Sequence, residues 1–241
     1  MNFRVEGDFM RALSLAAIAA VVTSSAFAAD LAPEPAPVEL PEAFNWTGFY
    51  AGVHGGYGWA KMDGDYFAPV ETPQPDGFFG GGQVGYNFEF ANKVVLGVEA
   101  DAAWADLSDD TVYNNTFIFP YSLGYQAKVE SFGTVRARAG YAMDRFLPYV
   151  TGGFAWANTE LDSQFTQSFP VPFDSHGSDT QTFTGWTVGA GFEYAFAGNV
   201  TAKVEYLYAD LGSKDFHLGD AGPFPVDLKM QTAKLGLNYK F

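Results

Sequence analysis

Three histidines, His54, His176 and His217, are the only side chains of the 241-residue sequence whose ordinary pKa suits proton transfer near neutral pH. Two sit among acids and hydroxyls: His176 beside Asp174, Ser175, Ser178 and Asp179, and His217 near Ser213, Asp215 and Asp220. A hydrolytic pair needs a hydroxyl within hydrogen-bond reach of a base that a carboxylate orients. Polar, flexible stretches assemble such neighbours through composition alone, so both clusters read as solvated loop and the chain is expected not to be an enzyme. Cysteine is absent, which removes disulfides and thiolate metal sites. Zinc spacings, phosphate-cradling glycine loops and nucleotide motifs are missing too. Asp106, Asp109 and Asp110 carry the oxygen ligands a divalent cation takes, but clustered loop acids are more simply solvated charge, and no metal site is assigned.

A second set of charged residues lies in stretches that alternate in polarity. Arg136 and Arg138 are two apart, as are Glu99 and Asp101, and Lys203 and Glu205, while Glu89, Lys128, Glu130, Glu193 and Lys234 occupy similar contexts. A period of two places such pairs on one face of a strand. The chemistry on offer is therefore ion pairing between strands, provided a fold brings those faces together.

The elements that would do so are clearest at residues 228–241, LKMQTAKLGLNYKF. Ala233, Leu235, Leu237, Tyr239 and Phe241 alternate with Thr232, Lys234, Gly236, Asn238 and Lys240, the pattern of a strand with one apolar and one wet face. An aromatic last residue suits the closing strand of a barrel, where it pairs with the first strand. Upstream, the same parity gives a first strand from about Asn45 with Phe49, Val53, Tyr57 and Trp59 outward and Tyr50, His54 and Ala60 inward. Later strands turn at Ala91-Asn92-Lys93, Met143-Asp144-Arg145 and Gly198-Asn199. Long connections are expected at 61–77, from beyond Trp104 to Gly124, up to about Gln181, and before 228. Eight strands result, and short and long connections alternate, as periplasmic turns and extracellular loops do.

Trp59, Trp104, Trp156 and Trp186 fall at the loop ends of four strands, and Phe49, Val94, Phe146 and Phe196 lie ten residues away toward the turns; Tyr239 joins the turn-side aromatics. Ten residues at about 3.3 Å each, tilted by about 40°, span roughly 25 Å, the height of the apolar band of a transmembrane barrel. The expected fold is all-β: an eight-stranded, antiparallel, up-and-down transmembrane barrel. Its interior would be just wide enough to be filled by side chains. Glu89, Glu99, Asp101, Lys128, Glu130, Arg136, Arg138, Glu193, Lys203, Glu205 and Lys234 are then lumenal and must pair with one another. A polar plug is the first reading; a narrow conducting path gated by those pairs is the alternative.

At the other end, Arg11, the apolar run ALSLAAIAAVV and Ala26-Phe27-Ala28 have the order of a secretory signal peptide, expected to span 1–28, with Met10 an alternative start to Met1. Pro33, Pro35, Pro37 and Pro41 make 29–43 an extended, non-packing periplasmic lead-in, leaving 44–241 for the barrel. The signal segment is neutral, so the net charge of −15 belongs to the mature chain and argues against nucleic acid as a partner.

The blocks NWTGFYAGVHGGYGWA, GGGQVGYNFEF, VVLGVEAD, FGTVRARAGYAMDRFLPYVTGGFAWA, TGWTVGAGFEYAF, VTAKVEYLYADLG and KLGLNYKF resemble, in the same order, the small outer-membrane β-barrel proteins of alphaproteobacteria. That OmpA-like group includes opacity-type, rhizobial-type major outer-membrane and haemin-binding porin-like proteins. The resemblance covers 44–241 and implies a monomeric eight-stranded barrel with an envelope role. Its expected surroundings are outer-membrane lipid and lipopolysaccharide, and the barrel-assembly machinery would read Phe241. It carries no catalytic residues. Because relatives bind haemin, His176 and His217 are candidate iron ligands, with Phe165, Phe169, Phe173, Phe216 and Phe224 as possible cover; otherwise no cofactor is expected.

Overall fold

The computed structural model describes residues 44–64, 72–116, 120–168, 170–217 and 223–241. The expected signal segment 1–28 and lead-in 29–43 lie outside them, as do Phe169 and Asp220. Eight strands follow one another: β1 (Gly48–Asp63), β2 (Asp76–Glu89), β3 (Val94–Asn115), β4 (Tyr121–Tyr141), β5 (Phe146–Gln167), β6 (Phe173–Ala197), β7 (Val200–Phe216) and β8 (Phe224–Lys240). Each pairs antiparallel with the next, and β8 pairs with β1 from Tyr50↔Lys240 to Asp63↔Asp227, closing the barrel. Where all eight strands pair, closure removes the free edges that an alternating sheet would otherwise leave. The short turns need left-handed backbone, supplied at Lys93 (φ 69°), Asp144 (φ 53°) and Gly198 (φ 54°).

Parity works as read in β1, β6, β7 and β8. Phe49, Val53, Trp59, Trp186, Phe196, Leu235, Leu237, Tyr239 and Phe241 are exposed outward, and Tyr50, His54, Thr187, Glu193, Lys203, Glu205, Thr232, Lys234 and Asn238 are buried inside. Trp104 points outward as well and is 80 % exposed. Trp156 is outward but half-buried, because it lies across Gly133 of β4, where a Cβ would stand 2.3 Å from the indole ring.

Two expectations need correction. Lys128 and Glu130 are not lumenal. A β-bulge between Val129 and Ser131 inserts one residue, and a single extra residue exchanges the two faces of a strand. Tyr125, Ala127 and Val129 therefore point inward above the bulge and Phe132, Thr134, Arg136 and Arg138 below it, while Lys128 and Glu130 pair with each other at 3.6 Å near the surface. Two of the long connections, moreover, are largely strand: β3 and β4 stay paired up to Asn115↔Tyr121 and β5 and β6 up to Gln167↔Phe173.

The buried apolar residues form two groups. The larger draws on all eight strands in the half of the barrel nearer the long connections, and includes Met62, Phe79, Leu107, Val129, Phe132, Leu161, Phe183, Leu211, Phe216, Leu228 and Met230. The smaller, at the short-turn end, joins Trp46 to Val95, Ala142, Leu147 and Ala195.

Candidate functional site

The candidate site is the lumen, filled at three levels. At the short-turn mouth the segment before β1 turns under the barrel. The Asn45 carboxamide accepts from Thr47 N at 2.8 Å, a local turn of the kind Asn favours. Trp46, 1 % exposed, lies against the inward side chains of β3, β5 and β6, and its indole N–H donates to Asp144 O in the β4–β5 turn at 3.1 Å. Glu89 anchors this floor: it accepts from Trp46 N at 3.0 Å, its own N–H donates to Thr47 Oγ1 at 2.9 Å, and Lys93 Nζ lies 3.1 Å from its carboxylate. Glu89 thus has the inward parity expected of it but belongs to the mouth rather than to the central network, because it sits on the last residue of β2, within reach of the turn.

Above the floor lies the ionic layer. The Arg136 guanidinium forks onto Glu99 (2.6 Å), Asp101 (2.9 Å) and Glu205 (3.0 Å), and its Nε donates to Thr134 Oγ1 at 2.8 Å. Arg138 reaches Glu193 at 2.8 Å, and its guanidinium carbon stands 3.9 Å from the centre of the Tyr149 ring. Lys203 binds Glu99 at 2.7 Å; Lys234 bridges Asp101 at 3.1 Å and Glu205 at 2.9 Å. Four cations, Arg136, Arg138, Lys203 and Lys234, therefore face four carboxylates, Glu99, Asp101, Glu193 and Glu205, and the layer is neutral. Neutrality and close pairing are what allow charge to be buried here, since an isolated buried ion costs several kcal/mol.

Uncharged side chains complete the layer. Tyr50 donates to Glu99 at 2.8 Å, Tyr149 to Glu205 at 2.9 Å, and Asn238 Nδ2 to Glu193 at 2.9 Å. Gln83 Nε2 donates to Asn238 Oδ1 at 2.5 Å and Thr201 Oγ1 to Glu193 at 2.5 Å. A search for charges alone misses these partners, yet inward parity at Tyr50, Gln83 and Asn238 was the signal for three of them. Tyr149 was harder to find, because Pro148 and the Gly152-Gly153 pair blur the alternation of β5.

The third level is the apolar collar described above. His54 marks its lower boundary: the buried ring packs 6.1 Å from Phe79, and its nitrogens have no hydrogen-bond partner among the described residues.

The other two histidines lie outside the lumen. His176 Nε2 is 3.3 Å from Asp174 Oδ2 and His217 Nδ1 is 3.9 Å from Asp179 Oδ2, with both rings mostly exposed. Asp179 Oδ2 also accepts from His217 N at 2.9 Å, and Phe216, Phe183 and Phe224 stack inside the collar rather than over either imidazole. Asp109 is engaged by Gln74 N at 2.7 Å. Among the described residues no group of acids and histidines is arranged to hold a metal ion.

Comparisons with known proteins agree with this architecture. The chain matches the family described as outer membrane protein beta-barrel domain over residues 14–241. It is 36 % identical over 252 residues to the 31 kDa outer-membrane immunogenic protein of Brucella melitensis, covering 96 % of this chain and 100 % of that one. It is 35 % identical over 210 residues to the 22 kDa outer membrane protein of Rhizobium leguminosarum bv. viciae, covering 86 % and 83 %. Among solved structures it is similar to the outer membrane protein OprG of Pseudomonas aeruginosa, at a TM-score of 0.44 and 15 % identity, covering 81 % of this chain and 96 % of that one. The chain belongs to the outer membrane protein β-barrel family of small alphaproteobacterial barrels, and its place is the outer membrane.

Proposed function

We propose that the protein is a non-conducting structural barrel that spans the outer membrane, contributes to envelope integrity and carries long β-hairpins outside the cell. The observation that supports this reading is the packing of side chains into the lumen at three levels: the Trp46 floor, the neutral ionic layer and the apolar collar. An ion crossing the collar would lose its hydration to side chains that offer no replacement, and crossing the ionic layer would require its charge pairs to part. In this reading, 1–28 is removed on export, 29–43 remains in the periplasm, Phe241 serves barrel assembly, the barrel works as a monomer, and catalysis is no part of its role. The description of the Brucella relative as immunogenic fits hairpins that are reachable from outside.

A strain lacking the protein tests the role directly. The structural reading expects greater sensitivity to detergents and bulky hydrophobic dyes, restored by the wild-type gene, with unchanged uptake of small solutes. Unchanged sensitivity together with slowed small-solute uptake would favour the channel reading instead.

A further inference from the structure

Beyond the aromatic band, the wall of the barrel is no longer continuous. β2 stops pairing with β3 at Asp76↔Ser108, and β7 stops pairing with β6 at Trp186↔Asp210. The second split has a local cause: Gly212 is left-handed (φ 70°) and a bulge falls between Asp210 and Ser213, after which β7 keeps only its β8 partner. β3 to β6 continue together as a four-stranded sheet. Among the described residues, β6 from Phe173 to Thr182 therefore has a ladder on its β5 side only. Along these ten residues, about 33 Å of strand, every second residue turns its N–H and C=O away from β5; the end of β7 reaches this edge through His217 N to the Asp179 side chain, and among the described residues the backbone groups of this side have no ladder partner, a template for one more strand.

The two faces beside this edge differ in chemistry. On the outer face, Asp110, Gln126, Asp162, Gln164, His176 and Ser178 line a basin of about 650 Å³. Asp174 and Glu160 adjoin it in register, and Lys128 is the single lysine or arginine among the described residues of that face. On the inner face, the rings of Phe173, Phe165 and Tyr121 run in a row at the far end of the edge, with centroids 6.2 and 5.7 Å apart, and Ser175, Gly177 and Asp179 follow Phe173 along β6. A second copy laid edge to edge would bring Asp174 and its neighbouring acids against their own kind, which disfavours self-pairing. The same charges favour a basic partner.

We propose that the Phe173–Thr182 edge of β6 docks an extended cationic segment of another protein as an added strand, its basic and apolar side chains alternating. The basic side chains extend over the Asp162 and Asp174 side, the apolar ones over Phe173 and Phe165, and the backbone completes the ladder. The inference goes beyond the structural role and does not depend on it, because a conducting barrel would present the same edge.

The test uses the full protein in lipid nanodiscs and a labelled ten-residue peptide alternating Lys and Val, followed by fluorescence anisotropy and by amide hydrogen exchange. Controls are a peptide of the same composition with its lysines in one block and an alternating Glu-Val peptide. The expected result is saturable binding of the Lys-Val peptide, weakened by salt, with slowed exchange confined to residues 173–182. Binding should fall at least about tenfold, equivalent to 1.4 kcal/mol, in the Asp162→Asn/Asp174→Asn double variant. Successive N–H groups of an edge strand point to opposite sides, so of Ser175→Pro and His176→Pro the one whose N–H faces away from β5 should abolish binding while the barrel still resists detergent on a gel. Equal binding of the blocked peptide, protection away from 173–182, or a dimer of barrels formed through this edge would each overturn the proposal.

Discussion

Replacing Arg136 by alanine removes the side chain on which the ionic layer converges. Its guanidinium lies within 3.0 Å of three carboxylates, those of Glu99, Asp101 and Glu205, and its side chain is wholly shielded from solvent. Without it, four carboxylates face the three remaining cations, and Lys203 and Lys234, already bonded to Glu99, Asp101 and Glu205, are the nearest compensation. Breaking a buried pair from one side costs about 3–5 kcal/mol, because the abandoned partners stay desolvated. Arg136→Ala should therefore destabilise the folded barrel by about that amount. Arg136→Lys keeps the charge but loses the fork, and with it charged hydrogen bonds of about 1.5–3 kcal/mol each, so it should fall between the two. The assay is equilibrium urea unfolding from lipid vesicles, followed by tryptophan fluorescence and by the mobility difference between folded and boiled protein. Arg136→Ala within about 1 kcal/mol of wild type would refute the reasoning, since a loss that small is what solvated rather than buried pairs give.

Trp46→Ala should cost about 3–5 kcal/mol for a buried indole removed without collapse, measured by the same unfolding, whereas Trp104→Ala, on a fully outward ring, should leave the lumen unaltered and change chiefly the depth of lipid contact. Asn238→Ala strips Glu193 and Gln83 of a partner and should lower equilibrium stability by about 1–3 kcal/mol with little change in assembly rate; loss of Phe241, whose N–H donates to Phe49 O at 2.9 Å and whose ring lies outward, should slow assembly into vesicles far more than it lowers stability. Haemin titration should give the same Soret spectrum for wild type, His176→Ala and His217→Ala, because Phe183, Phe216 and Phe224 pack against one another inside the collar and leave neither exposed imidazole a cover for the macrocycle; a shift lost in either variant would reinstate an axial ligand.

How far the sequence revealed these features depended on how far its period of two ran unbroken. The alternation of β8 and of β1 needed no tertiary information, and the same period of two, followed through β3, β4, β6, β7 and β8, located Arg136, Arg138, Glu99, Asp101, Glu193, Lys203, Glu205 and Lys234 on inward faces. It failed at Lys128 and Glu130, where the bulge between Val129 and Ser131 resets the faces and leaves no distinctive residue to announce itself. It also understated the hairpins. Stretches such as Asp109–Asn115 and Phe173–Gln181 are polar on one face and mixed on the other, and composition alone reads them as loop until their partners are known. Trp46 was legible as an aromatic near the first strand but not as a floor, because that role depends on Val95, Ala142, Leu147 and Ala195, which lie 49 or more positions away.

The central claim is that the lumen is closed, and the most direct measurement is single-channel conductance of the refolded wild-type protein in a planar bilayer at neutral pH. The account predicts no steady conductance above the bare bilayer, in Arg136→Ala as in wild type, because the Trp46 floor and the apolar collar persist when the ionic layer is weakened. A stable, ohmic conductance from wild-type protein would contradict it and make the ionic layer the lining of a channel.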